Sequence, residues 1–411
     1  MEQNILPVIL GPTEHAYSYA VDFDKQFGME CLIVAQDYLK MTKYSSLFKR
    51  YEVCPNIYED ESFLNSLIEV ASKHPKQTLI LLPTSDKYLS LVVKYQDELK
   101  KYYKLNVPTT DQFNKLFYKR NFYETCKAFN VDIPETYVHH FGDPSFNESI
   151  QFPVILKVDD SSTYTESFEG KQKIYYLNSY DEINETIQLI YTQSNYKGAL
   201  IIQEYIEGSD TTLYDIVYYA NQSKKAQFIS FAQVLLQDPE LISVGNYLAM
   251  ISRYNKTVMD QAKSLMEGIG YQGFANFDLK YDKKDGKYKF FEANLRIGRG
   301  SSYINSSKRS MSQLLIDDLI EEKSNKLYYM NNKVLFSFIP IPLLKKYINE
   351  NSLHLEVNEL SKQKAIYRPL KYYNEKSLKH KVYSTYRLYV YYKKLKKSAW
   401  QKEIYGNDDA M

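Results

Sequence analysis

Asp278, Glu292, Asn294 and Arg296 are the residues of this chain whose types and spacing point most directly to chemistry. They lie in or just after two strand-like runs, residues 274–280 and 288–294, separated by a polar turn at 282–287. Side chains alternate along a strand, so Phe274, Asn276 and Asp278 share one face, and Phe290, Glu292 and Asn294 share one. Paired as a hairpin, the two runs bring three oxygen donors to one end of a sheet. Such a set suits Mg²⁺, which takes one or two carboxylates together with substrate phosphates. Arg296 follows two residues later and offers a guanidinium to a phosphoryl oxygen. An acidic strand end by itself commonly does no more than face water. The ordered set of Asp, Glu, Asn and Arg, followed by the loop 297–302, is what singles this segment out.

The elements that must position these residues are legible in outline. Residues 5–10, 31–35 and 78–82 read as strands, and 20–27 and 63–72 as helices. That alternation predicts parallel βαβ units, with ligands beyond the carboxyl ends of the strands. The loops there are Gly11-Pro12-Thr13-Glu14 and Pro83-Thr84-Ser85-Asp86. The first lacks the further glycines of a dinucleotide fingerprint. Residues 111–130 read as one helix, capped by Thr110 or Asp111 and carrying Lys119. Strands follow at 153–158, 199–206 and 212–219, with a helix at 260–269. Lys157 ends the first of these strands. A lysine on an apolar strand either snorkels to water or meets an anion such as a phosphate. Beyond Arg299, residues 311–319 read as helix and 334–339 as strand. Residues 378–395 carry Leu378, Val382, Tyr386, Tyr389 and Tyr392 at helical spacing, predicting an amphipathic helix.

The ordered motifs resemble the ATP-grasp carboxylate–amine ligases. The resemblance is strong over 111–302 and weaker before it. It implies an α/β protein, in which an N-terminal Rossmann-like domain (1–117) precedes two lobes (118–205 and 206–330) that clamp ATP. A basic C-terminal extension (331–411) completes the chain. The likeness makes Asp278, Glu292 and Asn294 the ligands of Mg²⁺, and sets Arg296 on the transferring phosphate. It makes Lys119 and Lys157 phosphate-binding lysines. Gln203, the backbone of Tyr205 and Ile206, and Asp210 become the adenine and ribose contacts, with Glu207 a competitor for the ribose. A closing loop would centre on Gly170, helped by Ser161, Ser162 and Lys171 or Lys173. The sequence departs from the family at Leu295, where Pro is frequent, at Asn276, where some members carry Arg, and at Tyr118, where Asp is frequent.

Within that family the closest likeness is to bacterial D-aspartate ligases. It rests on Thr42-Lys43-Tyr44-Ser45-Ser46, Pro83-Thr84-Ser85-Asp86, residues 168–173, residues 276–280 and Arg296-Ile297-Gly298-Arg299. It implies ATP-dependent joining of D-aspartate to a lysine amine of a UDP-linked peptidoglycan precursor. Arg299, placed with Arg296 and Lys157 in the catalytic set, and Arg253 are the candidates to read the second carboxylate. Another ATP-grasp amide ligase and a non-catalytic nucleotide or anion binder are the rival readings.

Composition limits the remaining classes. The chain has 411 residues, too many for one ordinary domain. Its 44% hydrophobic and 25% charged residues are ordinary for a globular protein. Cys31, Cys54 and Cys126 are scattered outside any metal-type spacing, which predicts a reduced, cytoplasmic setting. No run approaches a membrane span of ~20 apolar residues, and the start lacks the basic and apolar regions of a signal peptide. Net charge is +2, yet residues 362–402 hold 13 Lys and Arg against one acid, Glu375. That tail is either a packed terminal helix with solvated lysines, or a surface for an anionic partner such as the UDP-linked acceptor or a membrane. No nucleic-acid partner is expected.

Overall fold

The computed structural model describes residues 4–160, 163–240 and 245–405, with side chains as far as Ser398. Ser161 and Ser162, candidates for the closing loop, lie outside the described residues.

Three sheets follow one another along the chain. The first is parallel and holds β1 (Ile5–Leu10), β2 (Leu32–Ala35), β3 (Arg50–Val53), β4 (Thr78–Pro83) and β5 (Tyr103–Lys104) in the order β3-β2-β1-β4-β5. Its central strands are continuous apolar runs because helices cover both faces. The neighbouring strands β1 and β4 deliver Gly11-Pro12-Thr13 and Thr84-Ser85-Asp86 to the same edge. Gly11 has φ +103°, and a Cβ there would lie 2.5 Å from the Thr84 hydroxyl oxygen. Only glycine lets the two loops approach so closely.

The second sheet holds β6 (Thr136–His139), β7 (Val154–Val158), β8 (Tyr175–Leu177) and β9 (Leu200–Glu204), in the order β6-β9-β7-β8. The third has eight strands: β10 (Leu213–Ala220), β11 (Ala226–Gln237), β12 (Tyr247–Arg253), β13 (Gly273–Asp282), β14 (Lys287–Asn294), β15 (Tyr328–Tyr329), β16 (Leu335–Ser337) and β17 (Ile366–Tyr367). The order is β14-β13-β10-β11-β12-β16-β17, with β15 beside β11.

Three expectations change. The helix at 111–130 is two helices, Thr110–Phe117 and Lys119–Ala128, parted by Tyr118 in an extended conformation. Thr109 is the cap, in a reciprocal box with Gln112. No Gly or Pro marks the break. Instead the second helix caps the first: Asn121 Nδ2 donates to the Asn114 carbonyl at 2.8 Å, and Thr125 Oγ1 to that of Lys115 at 3.3 Å.

The segment after residue 330 is not an appended extension. β16 pairs with β12 and β17 with β16, so this segment completes the third sheet. Glu375, the lone acid of the basic segment, is buried. It accepts from Ser45 Oγ at 2.6 Å, Ser46 N at 2.9 Å and Ser46 Oγ at 2.7 Å, which ties the tail to the N-terminal domain.

The C-terminal helix, Leu378–Tyr405, turns the opposite face inward from the one its apolar spacing predicts. His380, Ser384, Tyr391 and Leu395 are buried. Leu378, Val382, Tyr386, Tyr389 and Tyr392 are 74, 62, 57, 50 and 42% exposed. Among the described residues no helix is long and apolar enough to cross a membrane.

Candidate active site

The third sheet builds the site through one register. β13 and β14 pair antiparallel, setting Asn276 opposite Asn294 and Asp278 opposite Glu292. The next pair is Leu279 with Phe290, so Phe291 is an extra residue and the strand bulges. The bulge corrects one expectation from simple alternation. Phe290 does not share the face of Glu292 and Asn294. It turns into the core against Phe277, with ring centroids 5.6 Å apart. Glu292 and Asn294 stay opposite Asp278 and Asn276.

Each donor is held. Tyr247 Oη donates to Asp278 Oδ1 at 2.6 Å, and Asn294 Nδ2 donates to Asp278 Oδ2 at 3.2 Å. Burial, then the negative charge of Glu292, pushes the Asp278 carboxyl up to about 8. Burial would raise Glu292 as well, but Lys119, Lys173 and Lys157 outweigh it and hold it at about 2. Lys119 opens the helix after the Tyr118 break, and its Nζ lies 3.3 Å from Glu292 Oε1. Two carboxylates forced together in a buried site, one of them strained toward its neutral form, fit a divalent cation that lets both ionise. Among the described residues no group of three or more His, Cys, Asp or Glu is gathered. Mg²⁺ here would rest on Asp278, Glu292, Asn294 and phosphate oxygens, the mixed set that this ion prefers.

Asn276 is tied into the sheet. It donates to Asp215 and, at 3.1 Å, to the Ile216 carbonyl. Burial pushes Asp215 up to about 7.

Lys157 is buried on β7 and does not snorkel. Its Nζ donates to Tyr123 Oη at 2.8 Å and to Gln203 Oε1 at 3.2 Å. Burial, then the nearby Lys119, lowers it to about 7. Gln203 is buried, and its Nε2 donates to Thr136 Oγ1 at 2.7 Å. Its amide therefore anchors Lys157 within the sheet. Tyr205 and Ile206 continue from β9, and Tyr205 N donates to the Pro153 carbonyl at 3.2 Å. Asp210 accepts from Gln237 N at 2.9 Å and Gln237 Nε2 at 2.7 Å. Lys280, whose Nζ lies 5.0 Å from the Tyr205 ring centre, feels the charge of Asp210. Tyr205, Ile206 and Asp210 lie in the connection from β9 of the second sheet to β10 of the third.

Of the two loop lysines, Lys171 folds back on its own loop, donating to the carbonyls of Tyr164 at 3.0 Å and Glu166 at 2.6 Å. Lys173 is the one whose charge reaches Glu292, Lys157 and Asp278. Gly170, with φ +81°, forms the turn before them.

Arg296 reaches the N-terminal domain, where its Nη2 pairs with Asp86 Oδ2 at 2.8 Å. Arg299 lies over the Phe338 ring at 4.6 Å and touches the hydroxyl of Tyr391. Arg253 is spent elsewhere, forked onto Glu356 with Nη2 2.8 Å from Oε2, and bound to Gln233. It does not reach the site. Sequence reading missed Tyr123, Tyr247, Glu14, Arg387 and Tyr391. Single tyrosines carry no signal in a chain with 41 of them, and the last two lie outside every motif.

The arrangement sets Lys119, Lys157 and Lys173 around an oxygen-donor set at the end of the hairpin, with arginines beyond. The chain covers 80% of its length against biotin carboxylase of Campylobacter jejuni in complex with an ATP analogue, with TM-score 0.60 over 74% of that chain at 14% identity. Against N5-carboxyaminoimidazole synthetase of Staphylococcus aureus with ADP, the TM-score is 0.59 at 11% identity, covering 82% of each chain. L-amino acid ligase of Bacillus licheniformis gives 0.54 at 14% identity, over 78% of this chain and 75% of that one. The chain has the ATP-grasp fold. At the sequence level it is 28% identical to D-aspartate ligase of Enterococcus faecium over 415 aligned positions, 98% of both chains. No protein-family model matches. The parallel first sheet and the two sheets that follow are the arrangement expected of that fold.

Proposed function

We infer that this protein is an ATP-dependent ligase that joins the β-carboxylate of D-aspartate to the lysine side-chain amine of a peptidoglycan precursor, using MgATP. The observation that carries the chemistry is the convergence of Asp278, Glu292 and Asn294 with Lys119 and Lys157 at the end of the β13–β14 hairpin. The donor reading rests on the similarity over 98% of the chain to an enzyme of that name.

In the first step a donor carboxylate oxygen attacks the γ-phosphorus of ATP. The bond to the β–γ bridging oxygen breaks, and ADP leaves. In the second step the amine attacks the acyl carbon, phosphate departs and the amine loses a proton. Bound Mg²⁺ supplies charge neutralisation between the two anions that must meet. Lys119 and Lys157 bind phosphate oxygens, and Lys157 gains its full charge when an anion enters its buried pocket. Arg296, anchored on Asp86, stands two residues beyond Asn294 to hold the transferring group. Tyr205, Ile206 and Asp210 line the adenosine end, and Lys173 closes over the phosphates and keeps water from the acyl phosphate. Arg299 reads the donor's second carboxylate.

Three free cysteines fit a reduced cytoplasmic setting. The exposed apolar stripe of the C-terminal helix, flanked by Lys379, Lys381, Lys393, Lys396 and Lys397, fits peripheral contact with an anionic bilayer.

The test is ADP release by purified protein across D- and L-amino acids, with and without a lysine-containing UDP-linked precursor. D-aspartate is expected to stimulate release above L-aspartate, glutamate and alanine, with a β-amide as product. Stimulation by an unrelated amino acid alone moves the protein to another amide ligase of this fold. No release with any donor and acceptor leaves a nucleotide-binding protein.

A further inference from the structure

The arginines beyond the metal set do not stand alone. Four separate parts of the chain meet there: the start of the helix Glu14–Phe27, the loop after β14, the residue following β16, and the C-terminal helix. Arg387 Nη2 lies 2.6 Å from Glu14 Oε1 and 2.7 Å from Tyr391 Oη. The same Tyr391 hydroxyl meets Arg299. Arg299 is sandwiched by Phe338 and Tyr391, at 4.6 and 5.4 Å to the ring centres. His15 sits behind them, its Nδ1 3.0 Å from Thr13 Oγ1. Burial, then Arg296, holds His15 neutral, with its pKa lowered to about 3.

Charge in this cluster does not balance. Arg296, Arg299 and Arg387 face two carboxylates, Asp86 and Glu14. One positive charge is in excess among half-buried side chains. The Nε atoms of all three arginines are buried and have no hydrogen-bond partner. A buried guanidinium N–H without an acceptor is costly, so the three side chains hold their positions through their ends, whose charge is what a ligand would meet. The excess matches one carboxylate. Glu14, held ionised by Arg299 and Arg387 against the effect of burial, matches one ammonium.

We propose that Arg387 and Tyr391 of the C-terminal helix complete, with Arg299 and Glu14, a receptor for the non-reacting end of an amino dicarboxylate donor. The inference rests on the ligase reading above and adds residues that lie outside the nucleotide cleft. The donor's second carboxylate is taken by Arg299 and Arg387. Its ammonium is taken by Glu14, and its reacting carboxylate points back past Arg296 toward the metal set. Tyr391 is a positioning residue, whose hydroxyl and ring fix both guanidiniums. A donor that lacks the second carboxylate, such as β-alanine, leaves the excess arginine unpaired and is rejected on that ground.

The experiment uses the full chain, with donor-dependent ADP release at saturating MgATP and melting curves to verify folding. R387Q is expected to raise the D-aspartate KM by about tenfold or more, the loss typical of a charge-assisted contact, while the ATP KM stays within about twofold. The kcat/KM preference for D-aspartate over β-alanine, which lacks only the second carboxylate, is expected to fall by a similar factor, a change that a merely structural role would not produce. Y391F, which removes only the hydroxyl, is expected to raise the D-aspartate KM by roughly threefold to tenfold, and it decides the matter should R387Q melt early. Unchanged donor KM and unchanged preference for D-aspartate over β-alanine in both folded variants overturn the proposal. Should wild type release no ADP with any acidic amino acid, the ligase reading fails separately. Titration of D-aspartate, L-aspartate and succinate into the MgADP form by calorimetry then decides this one. Binding weakened by R387Q upholds the dicarboxylate receptor, and absence of binding in wild type overturns it.

Discussion

Lys157 and Glu292 are neighbours whose ionisation the fold has moved in opposite senses to one end. Lys157 is lowered to about 7 by burial and by Lys119, and Glu292 is held at about 2 by three lysines against burial. On the function proposed above, an incoming polyphosphate restores the charge that burial suppresses on Lys157. ATP binding near pH 8 should therefore take up a proton, because free Lys157 is then largely neutral and phosphate-bound Lys157 is charged. Calorimetry of ATP binding in EDTA, in buffers of different ionisation enthalpy, is expected to show that uptake. Lys157→Met keeps the apolar stem, loses the uptake and weakens binding; identical buffer dependence in both proteins would remove Lys157 from the phosphates. Glu292→Gln keeps the shape and removes the charge that Mg²⁺ needs. Turnover is expected to drop by ~10²-fold or more with the melting temperature preserved. Near-normal Mg²⁺-dependent ADP release would sink the metal assignment.

At the scale of elements, the C-terminal helix shows how one periodicity can serve two faces. Its apolar spacing in sequence belongs to the solvent side, and its packed side carries His380, Ser384, Tyr391 and Leu395. A helix that exposes Leu378, Val382 and three tyrosines beside a row of lysines has the layout of an interfacial helix. Lys394 is not part of that row, because it pairs with Asp238 at 3.3 Å and Glu240 at 2.7 Å. Co-sedimentation with anionic vesicles is expected at low salt and to fade as salt rises, since screening limits such attraction to about 8 Å at physiological ionic strength. Replacing Lys393, Lys396 and Lys397 with Gln is expected to weaken it by about 1 kcal/mol for each lysine. Binding absent at low salt, or indifferent to these replacements, would leave the stripe as surface alone.

For the whole molecule, Glu375 is the stitch that holds the tail to the first domain. It accepts from the Ser45 and Ser46 hydroxyls, from Ser46 N and from Ser377 N at 2.9 Å. Glu375→Ala strands several buried donors and is expected to cost roughly 2–4 kcal/mol, read as a lower melting temperature. Burial raises this carboxyl, but the hydrogen bonds outweigh burial and leave it lowered in the fold. Its contribution is thus complete above the unfolded value near 4.5 and is lost as pH falls through the lowered folded value. The melting difference between wild type and Glu375→Ala should be large at pH 7 and shrink under acid. A difference that is small, or constant with pH, would contradict this role.

Sequence alone determined the parts that local periodicity and ordered motifs encode. The alternating first domain, β7, β9, β10, and the hairpin bearing Asp278, Glu292 and Asn294 were all legible, because burial forces apolar runs and alternation onto strands. Tertiary structure decided what no local pattern carries. The Tyr118 break depends on side chains three and seven residues beyond it, which cap the preceding helix. The β14 bulge depends on the partner strand, and it sends Phe290 to the core without disturbing Glu292. Gln203 and Arg253 looked available for ligands, yet both are committed to neighbours distant in sequence. The meeting of Glu14, Arg299, Arg387 and Tyr391 joins residues hundreds of positions apart. Charge pairing across such separations leaves no periodicity in the chain, so only the folded molecule could bring it to light.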